Sequence, residues 1–406
     1  MTTPTFGVTV TRTASDTMTP IWTDFSVIGL IGTAADANAA AFPLDEPVLL
    51  YSNDNDKLAL LGTDGTLYDA VKLINAQLNG GAAKIVVVRI AEGASTAETI
   101  ANAVGDGLTT GINAFLDAPA LLGVTPRLIG APGLTGYRAE LGTANALCAA
   151  LPAVLASLLA HAVIDAPGND EANDLDWRET LASERLIPVS PAVIVDSDGL
   201  AVTVPGSPAI LGIAVRRDNE AGGLPFASWA NQPVYGITKL ARPIRFNLYD
   251  GANEGQTLLA NNIGIIVRSE KGVAGGGEGG FRYYGTDNTG TDELWNFYNV
   301  TRGRDYINLM CMDTVAQYLG KYNLTGQTVQ SILNTLNGAL SSLKAAGAIL
   351  DFAVSFTEAD NPTADLREGR LTVQFNAEES PVLRRIGIKS GRMATAVDAV
   401  LESLAA

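Results

Sequence analysis

The chain is poor in the residues that most metal binding and nucleophilic catalysis draw on. Its 406 residues include one histidine, His161, and two cysteines, Cys148 and Cys311. One histidine excludes histidine-clustered metal sites, and a Ser–His–Asp triad would have to use His161. Two cysteines do not make a disulfide framework. No glycine-rich stretch is followed by G-K-[ST], so the sequence holds no P-loop and ATP-driven motion is not expected. Positive charge is also scarce. Against 43 acidic residues stand 27 basic ones, a net charge of -16. A main role on nucleic acid, which needs a basic face, is therefore not expected. The most apolar window, 147–164, contains Pro152 and His161 and is rich in alanine, which suits a buried helix better than a membrane span. The opening MTTPTFGVTVTRT lacks a basic stretch followed by an apolar run, so a signal peptide is not expected and synthesis in a cytoplasm is.

What is present is a long alternation of strands and helices. Hydrophobic residues make up 47% and charged residues 17%, a balance suited to packed cores, and the length points to two or three domains. Residues 4–13 alternate Phe6, Val8 and Val10 with small polar residues, a strand pattern, and 14–20 read as a linker. Strands are expected at 25–31, 47–51, 84–90, 126–131, 162–165, 192–196 and 263–267. Between them lie helices at 53–61, 67–78, 96–104, 139–159, 174–185 and 209–216. That order argues for a mostly parallel sheet in an α/β domain. Residues 271–280 (KGVAGGGEGG) read as a glycine-rich loop. Beyond them the pattern predicts helices at 292–298, 305–322 and 328–345, strands at 349–356, 370–375 and 383–389, and an amphipathic helix over 392–404.

Candidate chemistry is thin. His161 closes an apolar helical run and reads as a packed or surface histidine. GAPGLTG (130–136) stands between a strand and a helix but lacks dinucleotide-binding spacing, so a plain turn is the simpler reading. The pairs Asp196/Asp198 and Glu378/Glu379 read as solvated turns. Arg384 and Arg385 interrupt a strand, as an exposed edge or as a charged contact to a partner. Cys148 and Cys311 each sit in an apolar helical run, where buried thiols are the default.

The ordered set of segments resembles the contractile tail sheath proteins of bacteriophages and phage-tail-like particles. FYNVTRGRDYI is similar to that family's aromatic, basic entry into a long helix, with Thr301 and Gly303 interrupting Arg302 and Arg304. The Leu324-Thr325-Gly326 turn, GAILDFAVSF, Asn361-Pro362, Asp365-Leu366 and Gly369-Arg370-Leu371 follow in the family's order. FSVIGLIGTA, PVLLYSNDNDKLALLG, LYDAVKLINAQLNGGAAKIVVVRI and PRLIGAPG extend the likeness to the N-terminal half, and it is weakest between Ile164 and Lys271.

The resemblance implies an α/β and α+β multidomain protein: a central α/β domain with a mostly parallel sheet, a C-terminal α+β domain, and extended N- and C-terminal arms. The expected divisions are an arm at 1–20, an α/β domain at 21–95, a non-catalytic subtilisin-like middle domain at 96–270, the loop at 271–290, a C-terminal domain at 291–380 and an arm with a terminal helix at 381–406. It further implies a structural subunit, not an enzyme, without cofactor. Such subunits stack in sixfold rings around a tail tube and contract by reorientation without nucleotide hydrolysis. The implied partners are other copies of the chain, the tube, baseplate and tail terminator proteins, with no nucleic acid or membrane contact. The implied place is the virion tail, after assembly in the cytoplasm of a bacterial host. Arm strands exchanged between subunits would use Phe6, Val8, Val10, Leu383, Ile386 and Ile388. Arg302, Arg304 and Lys321 are candidates for tube contact, and Cys148 with Cys311 for an inter-subunit disulfide. The alternatives are an α/β enzyme, a protease that would have to use His161, and a different structural shell such as a type VI or extracellular-injection sheath.

Overall fold

A computed structural model describes residues 19–269, 279–393 and 395–405. The expected arm residues Phe6, Val8 and Val10, and most of the glycine-rich loop, lie outside the described residues.

The first elements are β1 (Ile28–Thr33), β2 (Pro47–Tyr51), α1 (Asn55–Leu61), α2 (Leu67–Ala76), β3 (Lys84–Ile90) and α3 (Thr96–Val104). After a 3₁₀ turn come α4 (Ala118–Leu122), β4 (Leu128–Gly130), α5 (Ala146–Leu158), β5 (His161–Asp165), α6 (Glu171–Glu179) and β6 (Leu186–Ser190). A hairpin, β7 (Val193–Ser197) and β8 (Leu200–Val204), leads into α7 (Ser207–Glu220). Then follow β9 (Gln232–Val234), β10 (Lys239–Leu240), α8 (Glu254–Ala260), β11 (Gly264–Ser269) and β12 (Gly280–Tyr284). The C-terminal unit holds α9 (Tyr298–Ala316), α10 (Gly326–Ala345), β13 (Ile349–Ser355), α11 (Thr363–Arg367) and β14 (Gln374–Glu379), and α12 (Thr395–Ala405) ends the chain.

Nine strands form one sheet in the order β2-β3-β1-β4-β5-β6-β11-β12-β9. The six central strands run parallel, and antiparallel strands close both sides. Central strands such as β1 (IGLIGT) are buried along their whole length because helices cover both faces. One core joins the sheet to α2 and α7, the other joins it to α3 and α5. At Gly212 a Cβ would stand 2.7 Å from Gln77 and from the Ile74 carbonyl oxygen, so the small residue sets how closely α7 crosses α2.

The α/β and α+β reading holds, but several boundaries move. No domain division falls at residue 95, since β1 pairs with both β3 and β4 within a single sheet. The helix expected over 139–159 starts at Ala146, where the Asn145 side chain accepts from the Leu147 and Cys148 amides. The helix expected over 174–185 spans Glu171–Glu179, because Asp170 caps it earlier and the chain after it becomes β6, an unexpected parallel strand. The strand expected at 192–196 leaves the main sheet. It pairs with β8 across Asp198 and Gly199, both at positive φ, and β10 completes a separate three-stranded sheet. His161 opens the buried strand β5 and does not end a helix.

In the C-terminal unit, the helix expected at 292–298 is only a 3₁₀ turn, Glu293–Trp295, and the helix expected at 305–322 starts earlier and ends earlier, as α9 from Tyr298 to Ala316. Gly303 lies inside α9, and a Cβ there would lie 2.5 Å from the Phe226 ring, so glycine lets α9 approach that aromatic. The last paired strand is Gln374–Glu379 and not 370–375. Residues 383–389, expected as a strand, join no strand ladder among the described residues.

Candidate assembly interface

Helix α9 joins the sheet body to the C-terminal unit. Arg302 and Asp218 are both fully buried (0% side-chain exposure) and form a two-pronged ion pair at 2.8 and 3.2 Å. Arg302 also donates to the Phe25 carbonyl oxygen at 3.3 Å and lies over the Trp229 ring. Burial holds the Asp218 carboxyl above its usual range, and Arg302 opposes that rise. One turn on, Asp305 pairs with Arg185, which precedes β6. Arg304 donates to Glu379 at 2.6 and 2.9 Å and to the Ala377 carbonyl oxygen at 2.6 Å, fastening β14 to α9. The three charged residues therefore point to three different elements, which makes α9 a rigid crossbar.

His161 sits against this crossbar. Its Nδ1 is 3.9 Å from Asp305, and neither ring nitrogen has a hydrogen-bond partner among the described residues. Burial, then the Arg185 and Arg302 cations, push its pKa well below the ordinary histidine value. A serine–histidine–aspartate reading lacks its geometry. The buried Asp165–Ser207 pair, 2.7 Å apart, lies at the far end of β5, about 13 Å along the strand from His161. There Asp165 takes both the amide and the hydroxyl of Ser207 and closes the N-terminus of α7. Burial raises its pKa to about 6.

The C-terminal arm leaves from a fixed root. Asn299 donates to the Ser380 carbonyl oxygen, and Ser380 bonds back to Ala348 and Gly347. Arg384 makes a two-pronged pair with the buried Asp287 at 2.6 and 3.2 Å. Of the two adjacent arginines, Arg384 thus pairs within its own chain. Leu383, just before it, is 77% exposed, and Ile386 and Ile388, past it, are 70% and 87% exposed. An apolar stretch this open is a poor match for water unless another surface covers it. Among the described residues β13 and β14 form a two-stranded sheet, and neither outer edge pairs with a further strand. Phe352, Val354, Phe375 and Ala377 pack against the α9–α10 core, while Gln374, Asn376 and Glu378 face solvent.

Residues 290–389 match the phage tail sheath C-terminal domain. The tail sheath protein of Escherichia phage P2 is 25% identical over 380 residues, covering 90% of this chain and 89% of that protein. The chain is a relative of the phage tail sheath proteins. The major tail sheath protein of Serratia phage KSP20 is 28% identical over 375 residues, spanning 89% of this chain and 88% of its own length. A putative prophage major tail sheath protein of Pseudomonas aeruginosa strain UCBPP-PA14 is also 28% identical, with 90% of each chain covered. Solved structures share the fold. The sheath of an extracellular contractile injection system, PVC, in the contracted state superposes with a TM-score of 0.68 over 98% of this chain and 99% of that one, at 14% identity. The contracted helical sheath of the anti-feeding prophage gives 0.67, 97%, 100% and 16%.

Against this sheath background the sequence candidates sort themselves. Arg302 is withdrawn as a tube contact, because it is wholly buried and consumed by Asp218. Arg304 is three-quarters buried and held by Glu379, which withdraws it too. Lys321 is exposed on the turn after α9, over the Tyr322 ring. The disulfide expectation fails on access. Cys148 and Cys311 are both buried, and burial raises both thiols, Cys311 to about 11 and Cys148 further. Sequence reasoning missed Asp218 and Asp287, and it read Glu379 as part of a solvated turn, whereas Glu379 is buried at the end of β14 and held by Arg304. Only the fold supplies each of the three with its arginine.

Proposed function

We propose that the protein is the structural subunit of a contractile tail sheath. It polymerises as stacked hexameric rings around an inner tube and contracts by subunit reorientation, without nucleotide hydrolysis. The observation that carries this reading is the division between a rigid body and an exposed arm. Buried ion pairs lock α9 to the sheet and to β14, whereas apolar side chains beyond Arg384 stand in water beside a chain that offers two free strand edges. Ile386 and Ile388 of one copy add to the β13–β14 sheet of another. Strand addition draws its affinity from main-chain bonds and tolerates rotation of the attached bodies. Period-two alternation puts Ile386 and Ile388 on one face and Leu383 on the other. Residues 1–13, with Phe6, Val8 and Val10, supply the second arm. The work of contraction then comes from the difference in interface free energy between two lattices. Lys321 remains the candidate for the tube, and baseplate and terminator proteins cap the ends of the assembly in the virion.

Electron microscopy of the purified protein tests the reading: hollow tubes with striated walls are expected. Removing residues 1–13 is expected to leave folded monomers without tubes. Normal tubes from that deletion would refute the arm assignment.

A further inference from the structure

We propose that α12 is a second anchor, seated in a groove of a neighbouring copy beside Trp22. The inference rests on the sheath reading and adds to it a helix-in-groove contact after the exchanged strand. The helix has one apolar stripe, Val397, Val400, Leu401 and Leu404, and each of the four is more than half exposed. Spacing of three and four residues puts them on one face. At 11 residues, α12 is too short to persist in water without packing.

The groove, of about 520 Å³, opens between the segment before β1, the turn after α7, α9 and α10. Tyr306 and Leu343 form its floor and Leu224 one side. Trp22, 45% exposed, stands over Tyr306 with ring centroids 6.3 Å apart. A large aromatic left open beside a buried aromatic floor is the kind of surface that takes an apolar anchor.

Two features commit the occupant to a second copy of this chain. The first is reach. Residues 385–394 separate the Arg384–Asp287 pin from α12, and ten extended residues span up to about 35 Å, enough to reach an adjacent subunit. The second is continuity. Ser342 and Leu343 in the groove belong to the last turn of α10, just before β13 starts at Ile349. An arm strand running antiparallel to the free edge of β13 ends at the Ile349 side, which delivers the following helix to the groove.

The test mixes two single variants, Ser342→Cys and Leu401→Cys, under polymerising conditions followed by mild oxidation. Cys148 and Cys311 are buried and do not compete. A covalent dimer is expected from the mixture and not from either variant alone. A chain ending at Ser390 keeps the exchanged strand and lacks the helix. It is expected to need at least about tenfold more protein to form tubes. Tubes from the mixture without the cross-link, tubes from the truncated chain at the unchanged concentration, or a cross-link within one chain of the double variant each overturn the inference alone. Absence of tubes from the unsubstituted chain overturns the sheath reading, and this inference with it.

Discussion

Replacing Arg302 by methionine leaves Asp218 fully buried without its cation. Three hydrogen bonds disappear, two to Asp218 and one to the Phe25 carbonyl oxygen, along with the stacking on Trp229. Removing one partner of a buried pair costs about 3–5 kcal/mol, because the remaining charge is uncompensated. Whole-protein stabilities run at about 5–15 kcal/mol, so the variant loses a large part of its margin. Denaturant unfolding monitored by tryptophan fluorescence measures this directly. The double variant Arg302→Met with Asp218→Leu, which removes both charges, is expected to recover most of the loss. The pH dependence carries a sign. Burial already raises the Asp218 carboxyl, and without Arg302 its folded pKa rises further above the unfolded value of about 3.9. A carboxyl raised on folding is favourable at low pH and costs stability as pH rises through the folded value. The deficit of the single variant should therefore shrink between pH 7 and pH 5. A deficit under about 1 kcal/mol, or a double variant no better than the single one, refutes the crossbar. Loss of tube binding at unchanged stability would return Arg302 to the surface role that its burial denies.

His161 folds neutral, with its pKa far below the usual value, so its stabilisation is complete above about pH 6.5 and falls as pH drops below that. His161→Phe should flatten the stability profile between pH 6.5 and pH 5 by up to about 2 kcal/mol in the same unfolding assay. Gly303→Ala drives a methyl group into the Phe226 ring and is expected to cost about 1–3 kcal/mol; a neutral result would mean that α9 and Phe226 are not packed as described. Both native thiols should react with a water-soluble disulfide reagent only on unfolding, and a full equivalent of rapid labelling in the native state contradicts their burial.

The sheet body was legible in the sequence wherever burial is two-sided. KIVVVRI and IGLIGT are apolar throughout, and a fully covered strand needs that pattern. Short elements left weaker traces. β9 and β10, of three and two residues, have no periodicity to read. The Leu186–Ser190 strand was hidden by Pro188, which loses an amide inside a parallel sheet. Arg302 and Arg304 were misread as candidates for tube contact because the carboxylates that take them, Asp218 and Glu379, come from 84 and 75 residues away. No local pattern reports such a pairing.

The same pairings bear on how a sheath could store work. Every strong ion pair of α9 closes within one chain, so reorienting whole bodies need not break any of them. The Arg384–Asp287 pair likewise stays inside its own subunit and fixes where the arm departs. What remains to differ between two lattices is the surface beyond Arg384 and the faces that receive it. Body pairs are buried and little screened by salt, while body-to-body contacts on a chain of net charge -16 are exposed and repulsive on average. Ionic strength should therefore shift the balance between lattices without loosening the subunit. An extended sheath that contracts at a salt-dependent threshold, from subunits whose unfolding is salt-independent, would place the stored free energy between the bodies. A threshold that moves in step with subunit stability would place it within them.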